Sequence, residues 1–271
     1  MRFQPIASGS SGNCCYIGSD HTHLLVDVGI SCKRTKDALK NLGLTLQDID
    51  AICITHEHSD HIQGLAMIAK QTEMPIYATE ATIRAIRRSP KGDLIDPERF
   101  VPVRADNPFP VADLSVNPMT ISHDAADPVA YRVYADGKKA CVCTDIGCFT
   151  DYTVECLCDA DVLLLEANHD VNMLQVGPYP YRLKQRILSD HGHLSNLSSG
   201  ELLTKVINDH LAGVFLGHLS QENNYPELAF ETVRVELMSA EAECMERMNV
   251  RPLDIPLAVA ARDKPSALVE V

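Results

Sequence analysis

The 271-residue chain has no Cys-x-x-Cys pair, no apolar run of membrane length, no repeat and no excess of basic side chains. Each absence excludes something. The longest apolar runs, such as Val162–Leu165 and Leu257–Ala261, fall far short of a bilayer span. Met1-Arg2-Phe3 leads toward a Gly/Ser stretch without the apolar core of a secretory leader, so the sequence predicts a cytoplasmic protein. With no leader, the ten cysteines read as buried, reduced thiols and not as a disulfide framework. A cysteine metal site from Cys141, Cys143, Cys148, Cys156 and Cys158 is weakly supported, since that spacing matches no common zinc module. The 24 Lys plus Arg against 37 Asp plus Glu give a net charge of −13, which argues against a broad basic surface gripping nucleic acid. Phosphate met only at a metal centre stays compatible with that charge, because bound cations supply the positive field locally. What is present is ordinary for a globule: 45% hydrophobic and 23% charged residues, which excludes disordered and fibrous classes.

The pattern along the chain alternates strands and helices. Leu24–Gly29, Ala51–Thr55, Pro75–Ala78, Phe100–Arg104, Asp113–Met119, Ala130–Ala135, Lys139–Thr144, Asp161–Glu166, Gly213–Leu216 and Asp254–Ala261 read as strands. Asp136-Gly137 is a hairpin turn signal. Helices are expected over Lys33–Leu42 (capped by Ser31, stopped by Gly43), His61–Gln71, Thr79–Ser89, Leu202–Leu211 after a Ser198-x-x-Glu201 capping box, and Glu227–Met238 after Pro226. Sheets packed together with helices outside are the expected arrangement, while the pattern leaves the topology open.

The decisive segment is Thr55-His56-Glu57-His58-Ser59-Asp60-His61. His56 and His58 are two residues apart as the chain leaves an apolar strand, so their side chains can project to one side. Asp60 and His61 follow in the turn. Four metal-capable groups in six residues can supply two adjacent cations, and imidazole with carboxylate suits Zn²⁺, Mn²⁺ or Fe²⁺. A solvated His-rich turn is the weaker alternative, because the quartet sits against an apolar run.

This HxHxDH segment resembles the signature of the metallo-β-lactamase superfamily. Further motifs follow in the family's order: Asp27 in Val26-Asp27-Val28-Gly29, His123 in Ser122-His123-Asp124, Asp145 in Thr144-Asp145-Ile146-Gly147, and His218 in Gly217-His218-Leu219-Ser220. The resemblance implies an α/β protein with an αββα four-layer sandwich, one domain over 1–271. It also implies two divalent metal ions. His56, His58 and His123 would hold one, and Asp60, His61 and His218 the other, with Asp145 and a water bridging them and Asp27 orienting ligands from behind. The bridging water, as hydroxide, would be the nucleophile.

Within that superfamily three segments resemble nucleases and phosphodiesterases: Gly217-His218-Leu219-Ser220, the acidic Leu165-Glu166-Ala167, and Gly192-His193-Leu194-Ser195-Asn196. Ser8-Gly9-Ser10-Ser11-Gly12-Asn13 and Ser220-Gln221-Glu222-Asn223-Asn224 further resemble the YycJ/WalJ-type branch. That resemblance implies a metal-dependent 5′-to-3′ DNA exonuclease linked to DNA repair, with nucleic acid as the partner and no membrane association. It assigns Asp60, His193 and Glu166 to catalysis, with His193 as general acid and Glu166 as its orienter. Ser220, Asn223 and Asn13 become candidates for substrate contact. The alternatives are a helix cap for His193, a structural strand-end charge for Glu166, and an Asx turn for Asn223-Asn224. Arg182, Lys184 and Arg186 read as a solvated helix face or a phosphate track, and His169 as a weak cleft candidate. His210 reads as a helix C-terminal residue, and His21 and His23 as solvated. A small-molecule hydrolase acting on a cyclic phosphate, thioester or lactone is the rival function, since one fold hosts many chemistries.

Overall fold

A computed structural model describes residues 1–271. Two seven-stranded mixed sheets form its centre. The first contains β1 (Arg2–Ala7), β2 (Cys14–Gly18), β3 (His23–Val26), β4 (Ala51–Cys53), β5 (Ile76–Thr79) and β6 (Phe100–Val103), with β14 (Val269–Glu270) on the β1 edge. The second contains β7 (Phe109–Val111), β8 (Leu114–Thr120), β9 (Val129–Ala135), β10 (Lys138–Cys143), β11 (Val162–Glu166), β12 (Gly213–Gly217) and β13 (Leu257–Val259). Each sheet is antiparallel on one side and parallel on the other. The change falls at β3, which pairs antiparallel with β2 and parallel with β4, and at β10, which does the same with β9 and β11.

The helices are α1 (Cys32–Asn41), α2 (Ser59–Ile62), α3 (Leu65–Ala69), α4 (Glu80–Arg88), α5 (Asp151–Leu157), α6 (Val171–Val176), α7 (Tyr181–Ile187), α8 (Asn196–Val206), α9 (Pro226–Ser239) and α10 (Glu241–Met248). Strand alternation builds the layers. Phe3, Leu24 and Val26 of the first sheet meet Val142, Leu164 and Phe215 of the second between the sheets. Leu25, Ile52 and Ile76 point the other way and pack with Leu39, Ile68 and Ile83 of α1, α3 and α4. On the opposite outer face, Leu163, Leu165 and Leu216 pack with Leu157, Leu203 and Val233 of α5, α8 and α9. The result is the expected αββα sandwich, and no helix is long and apolar enough to cross a membrane.

Local chemistry explains where the elements start and stop. Ser31 accepts a hydrogen bond from the Arg34 N–H at the start of α1, Gly43 follows its end with φ 76°, and Thr79 caps α4 through the Thr82 N–H. Other expectations are corrected. The helix over 61–71 is divided between α2 and α3 by Gly64, where a Cβ would lie 2.3 Å from the Ile30 carbonyl oxygen. Ser195, not Ser198, caps α8 by accepting from the Ser198 N–H, so the helix begins six residues earlier, at Asn196, and ends at Val206, before His210. The closing strand shrinks to β13, because Pro252–Asp254 forms a 3₁₀ turn and Pro256 follows it. His21 is exposed, whereas His23 is only half-buried, its Nδ1 lying 2.9 Å from the Tyr16 hydroxyl. The unexpected β1 and β2 are buried on both faces and so carry no alternation to read.

Candidate metal centre

The C-terminal ends of the parallel strands converge on one edge of the sandwich, where open α/β sheets place their ligand sites. From β4 the chain runs through Ile54 and Thr55 into His56, His58, Asp60 and His61. Asp145 follows β10, Glu166 ends β11, and His218 follows β12. Asp27, Asp145 and His218 each turn the chain out of a strand with left-handed backbone, at φ 58°, 58° and 55°. Such a conformation costs a non-glycine residue about 1–3 kcal/mol, and strain of this kind concentrates at functional sites.

Supporting groups fix the imidazoles. The Asp27 carboxylate accepts from the Thr55 N–H and hydroxyl, both at 2.9 Å, and lies 2.7 Å from His61 Nδ1. The Thr55 hydroxyl sits 3.0 Å from His56 Nδ1, the Gly192 carbonyl 3.0 Å from His123 Nδ1, and the Glu166 carboxylate 2.8 Å from His218 Nδ1. Four rings are thus held through Nδ1, which directs Nε2 inward as the nitrogen a cation would take once deprotonated, the ring orientation characteristic of metal-binding histidines. His58 differs: its Nδ1 faces His123 Nε2 at 3.3 Å.

The inward atoms gather into overlapping donor sets, each within 4.8 Å: His56, His58 and His123; Asp60, His61 and His218; His56, His61 and Asp145. Asp145 stands between the sets, with Oδ2 3.1 Å from His61 Nε2 and Oδ1 3.7 Å from His123 Nε2. His56 Nε2 and Asp145 Oδ2 are buried with no hydrogen-bond partner. Buried polar atoms are ordinarily satisfied, so two orphans aimed into a ring of nitrogen and carboxylate donors fit divalent cations. The cysteines are free and join none of these sets; Cys141 and Cys143 lie in the apolar core, where burial pushes the Cys141 thiol up to about 12.

Charges in the cluster are strongly interdependent. Burial opposes ionisation of Glu166, yet the charges and hydrogen bonds of His193 and His218 outweigh it and hold the carboxyl down to about 2. Burial likewise opposes protonation of His218, but Asp145, Asp60 and Glu166 push it up to about 10. Asp145 is held well below the carboxylate range, against its burial, by His218 and His61. His56 is pushed well below its ordinary value by burial and by the neighbouring His61.

The cavity over the cluster measures about 220 Å³, and His58, Asp60, Asp145, His193, His218 and Ser220 line it. His193 sits 2.8 Å through Nδ1 from the same Glu166 oxygen that holds His218, and Nδ1 is 3.9 Å from Asp145. Glu166's other oxygen accepts the Ile146 and Leu194 N–H groups. His191 points elsewhere, to the Ser122 hydroxyl.

Two of the substrate-contact candidates are placed differently from the expectation. Asn13 is buried under the metal loop, its amide nitrogen 3.3 Å from Asp60 Oδ2 and 3.1 Å from His61 Nε2. Asn223 has no exposed surface; its N–H donates to the Ser220 hydroxyl, and its Oδ1 fills the space where a Cβ on Gly177 would sit. Asn13 thus touches the donor atoms of Asp60 and His61 themselves, and Asn223 braces Ser220 from behind. Asn224 is also turned inward, donating to the Ala167 and Asn168 carbonyls, and His169 is buried away from the cavity.

The basic segment divides. Lys184 donates to the Gln175 and Gly177 carbonyls, Arg182 is exposed, and Arg186 lies on the cavity wall, held by Asp124. Tyr179 shares that wall. The density of basic residues before His193 was the only sign of Arg186 in the sequence, and nothing marked Tyr179.

Residues 22–214 match the family model described as a β-lactamase superfamily domain. The chain is 38% identical over 229 residues to an exodeoxyribonuclease YycJ of Bacillus anthracis, covering 84% of this chain and 86% of that protein. It is 39% identical over 241 residues to an exodeoxyribonuclease WalJ of Streptococcus pneumoniae serotype 2, covering 89% and 90%. Zn²⁺-bound PqqB of Methylobacterium extorquens shares the fold, with a TM-score of 0.72 over the whole of both chains at 15% identity. With its strand-end His/Asp cluster and these relatives, the chain belongs to the metallo-β-lactamase superfamily and is a YycJ/WalJ-like member of it.

Proposed function

We propose that the protein is a metal-dependent phosphodiesterase that degrades DNA from the 5′ end. His56, His58 and His123 would hold one divalent cation and Asp60, His61 and His218 a second, with Asp145 shared between them. Two cations there supply Lewis acidity toward phosphoryl oxygens and acidify water near neutral pH.

The observation that carries the phosphodiester reading is the buried Glu166 carboxylate, which holds His218 and His193 through one oxygen. With Nδ1 engaged on Glu166, His193 has Nε2 left for substrate, on the wall of the cavity. With Glu166 accepting from Nδ1–H, the ring protonated at both nitrogens would present Nε2–H to a leaving alkoxide and hand that proton over, Glu166 balancing the imidazolium charge. Arg186, kept in place by Asp124, offers a guanidinium to phosphate oxygens on the same wall. Ser220 borders the cavity with its N–H committed to the Asn168 carbonyl and its hydroxyl oxygen accepting from the Asn223 N–H, so the hydroxyl hydrogen is what it offers there. The names of the relatives support DNA as the substrate.

The test is a panel of 5′- and 3′-labelled single- and double-stranded DNA and RNA with Zn²⁺, Mn²⁺ and Mg²⁺. Stepwise loss of nucleotides from the 5′ end of DNA is expected. The −13 charge favours the rival small-molecule reading, under which S-lactoylglutathione would turn over faster than bis-p-nitrophenyl phosphate and DNA would stay intact.

A further inference from the structure

Next to the metal cavity lies a second cleft of about 430 Å³. Asp60 and Ser10 line both, so the two spaces adjoin. Its floor is apolar, made by Ile62, Leu65, Ala66, Ile86 and Ile95 from α2, α3, α4 and the segment after α4. Lys91 stands on its wall. Ile95 is also shared with an adjoining depression lined by Arg84, Arg87 and Arg88.

These cations stand out in a chain of net charge −13. Arg84 is paired with Glu80, whereas Arg87, Arg88 and Lys91 are exposed and make no ion pair. Asp93 borders the depression, and Glu57 borders the cleft with one oxygen engaged by the Ala126 N–H. Two arginines in the last turn of α4 favour its dipole, but Lys91 lies beyond the helix end and gains nothing from it. An apolar floor beside the metal cluster, with three unpaired cations leading away from it, matches an apolar base on a charged backbone.

We propose that the cleft takes the base of the nucleotide bonded to the scissile phosphate, while Lys91, Arg88 and Arg87 carry the phosphates of the continuing strand. The proposal rests on the phosphodiesterase reading above. Aliphatic side chains on the floor carry no donor or acceptor, so the contact of a base face with them is insensitive to base identity, while Ser10, Ser11, Ser59, Gln63 and Ser89 also line the cleft. The phosphate contacts are likewise blind to sequence and weaken with salt. A short basic track thus meets a DNA strand without the broad basic surface that the composition excludes.

Equilibrium binding to a phosphorothioate single strand, followed by fluorescence anisotropy from 50 to 300 mM salt, tests the track. In R87E/R88E/K91E the slope of log K against log salt should become shallower by about 2, since three contacts on a single strand contribute roughly 0.7 each. R234E/R247E, carrying charge changes of the same sign far from the cleft, should keep most of the slope. An unchanged slope in the triple variant overturns the track. For the cleft, single abasic residues are placed along the strand and degradation is followed. An abasic residue beside the scissile bond should raise KM roughly tenfold, as for loss of one buried apolar contact, and one several nucleotides away should not. Equal effects at every position overturn the base site while leaving the nuclease reading intact. A wild-type protein that hydrolyses bis-p-nitrophenyl phosphate but ignores DNA overturns the nuclease reading, and the proposal with it.

Discussion

Removing the Asp145 carboxylate deletes the one group that stands between both donor sets and leaves buried imidazoles facing one another. D145A and D60A are therefore expected to abolish metal-dependent phosphodiester hydrolysis, and retained activity in either would refute their assignment. His193 acts differently. It lies outside the two proposed cation sets, so H193A should keep its metal content while kcat falls by about 10²- to 10⁴-fold, the usual range for a general acid. D27N should leave the cluster in place yet weaken metal affinity by about 10- to 100-fold, because the hydrogen bond that fixes His61 is altered. Metal content and steady-state kinetics on bis-p-nitrophenyl phosphate check all of these. At this scale the sequence is most informative where residue type states the chemistry: a His-rich quartet after an apolar strand has few other uses. It is least informative for Asn13, Asn223 and Arg186. Their positions depend on loops whose course is set by contacts across the fold, with Asn13 lying 47 residues from the Asp60 it supports.

The elements position these groups through tight strand exits. Val26-Asp27-Val28-Gly29 and Thr144-Asp145-Ile146-Gly147 end β3 and β10, the strands where each sheet changes from antiparallel to parallel. In both, an aspartate with positive φ is followed two residues later by a glycine pressed against another chain segment. A Cβ at Gly29 would lie 1.6 Å from the Asp60 carbonyl oxygen, and one at Gly147 2.3 Å from that of Asp190. G29A should therefore displace the loop carrying Asp60 and His61, lowering stability by about 1–3 kcal/mol in urea titrations and reducing metal content together with it. Removing the α8 cap with S195A has a milder expected cost of about 1 kcal/mol and no effect on metal content. The Asp-x-Gly pairs are visible in the sequence, but their equivalence is not, because spacing alone does not reveal which two strands occupy matching places in two sheets. The same limit explains the divided 61–71 helix: its apolar period continues through Gly64, and only the crossing Ile30 backbone interrupts it.

For the whole molecule, the cluster couples protons, metal and stability. Glu166 has a folded pKa of about 2, below its ordinary 4.5, so its contribution is present above pH 4.5 and is lost as pH falls toward 2. His218 is raised to about 10 from 6.5, so its contribution is complete below pH 6.5 and is lost as pH rises through 10. Chelated protein should thus be most resistant to urea between about pH 4.5 and 6.5 as far as this pair is concerned, and E166Q should flatten both flanks. Cation binding must displace the His218 proton, so metal affinity should rise with pH between 6 and 8. Calorimetric titrations in buffers of different ionisation heat would show the released protons. Packed sheets with helices outside, and the His-rich quartet, were readable because hydrophobic patterning and ligand chemistry are local signals, whereas the four-layer sandwich and the order of the later motifs came through family resemblance. The convergence of β4, β10, β11 and β12 on one edge was readable only through family resemblance.

The most direct test is elemental analysis of protein purified without chelator and supplied with Zn²⁺ or Mn²⁺. Two ions per chain in the wild type, with a marked loss in D145A, is the predicted result. Fewer than one ion per chain in the wild type would contradict the reading of these side chains as a two-cation hydrolytic centre.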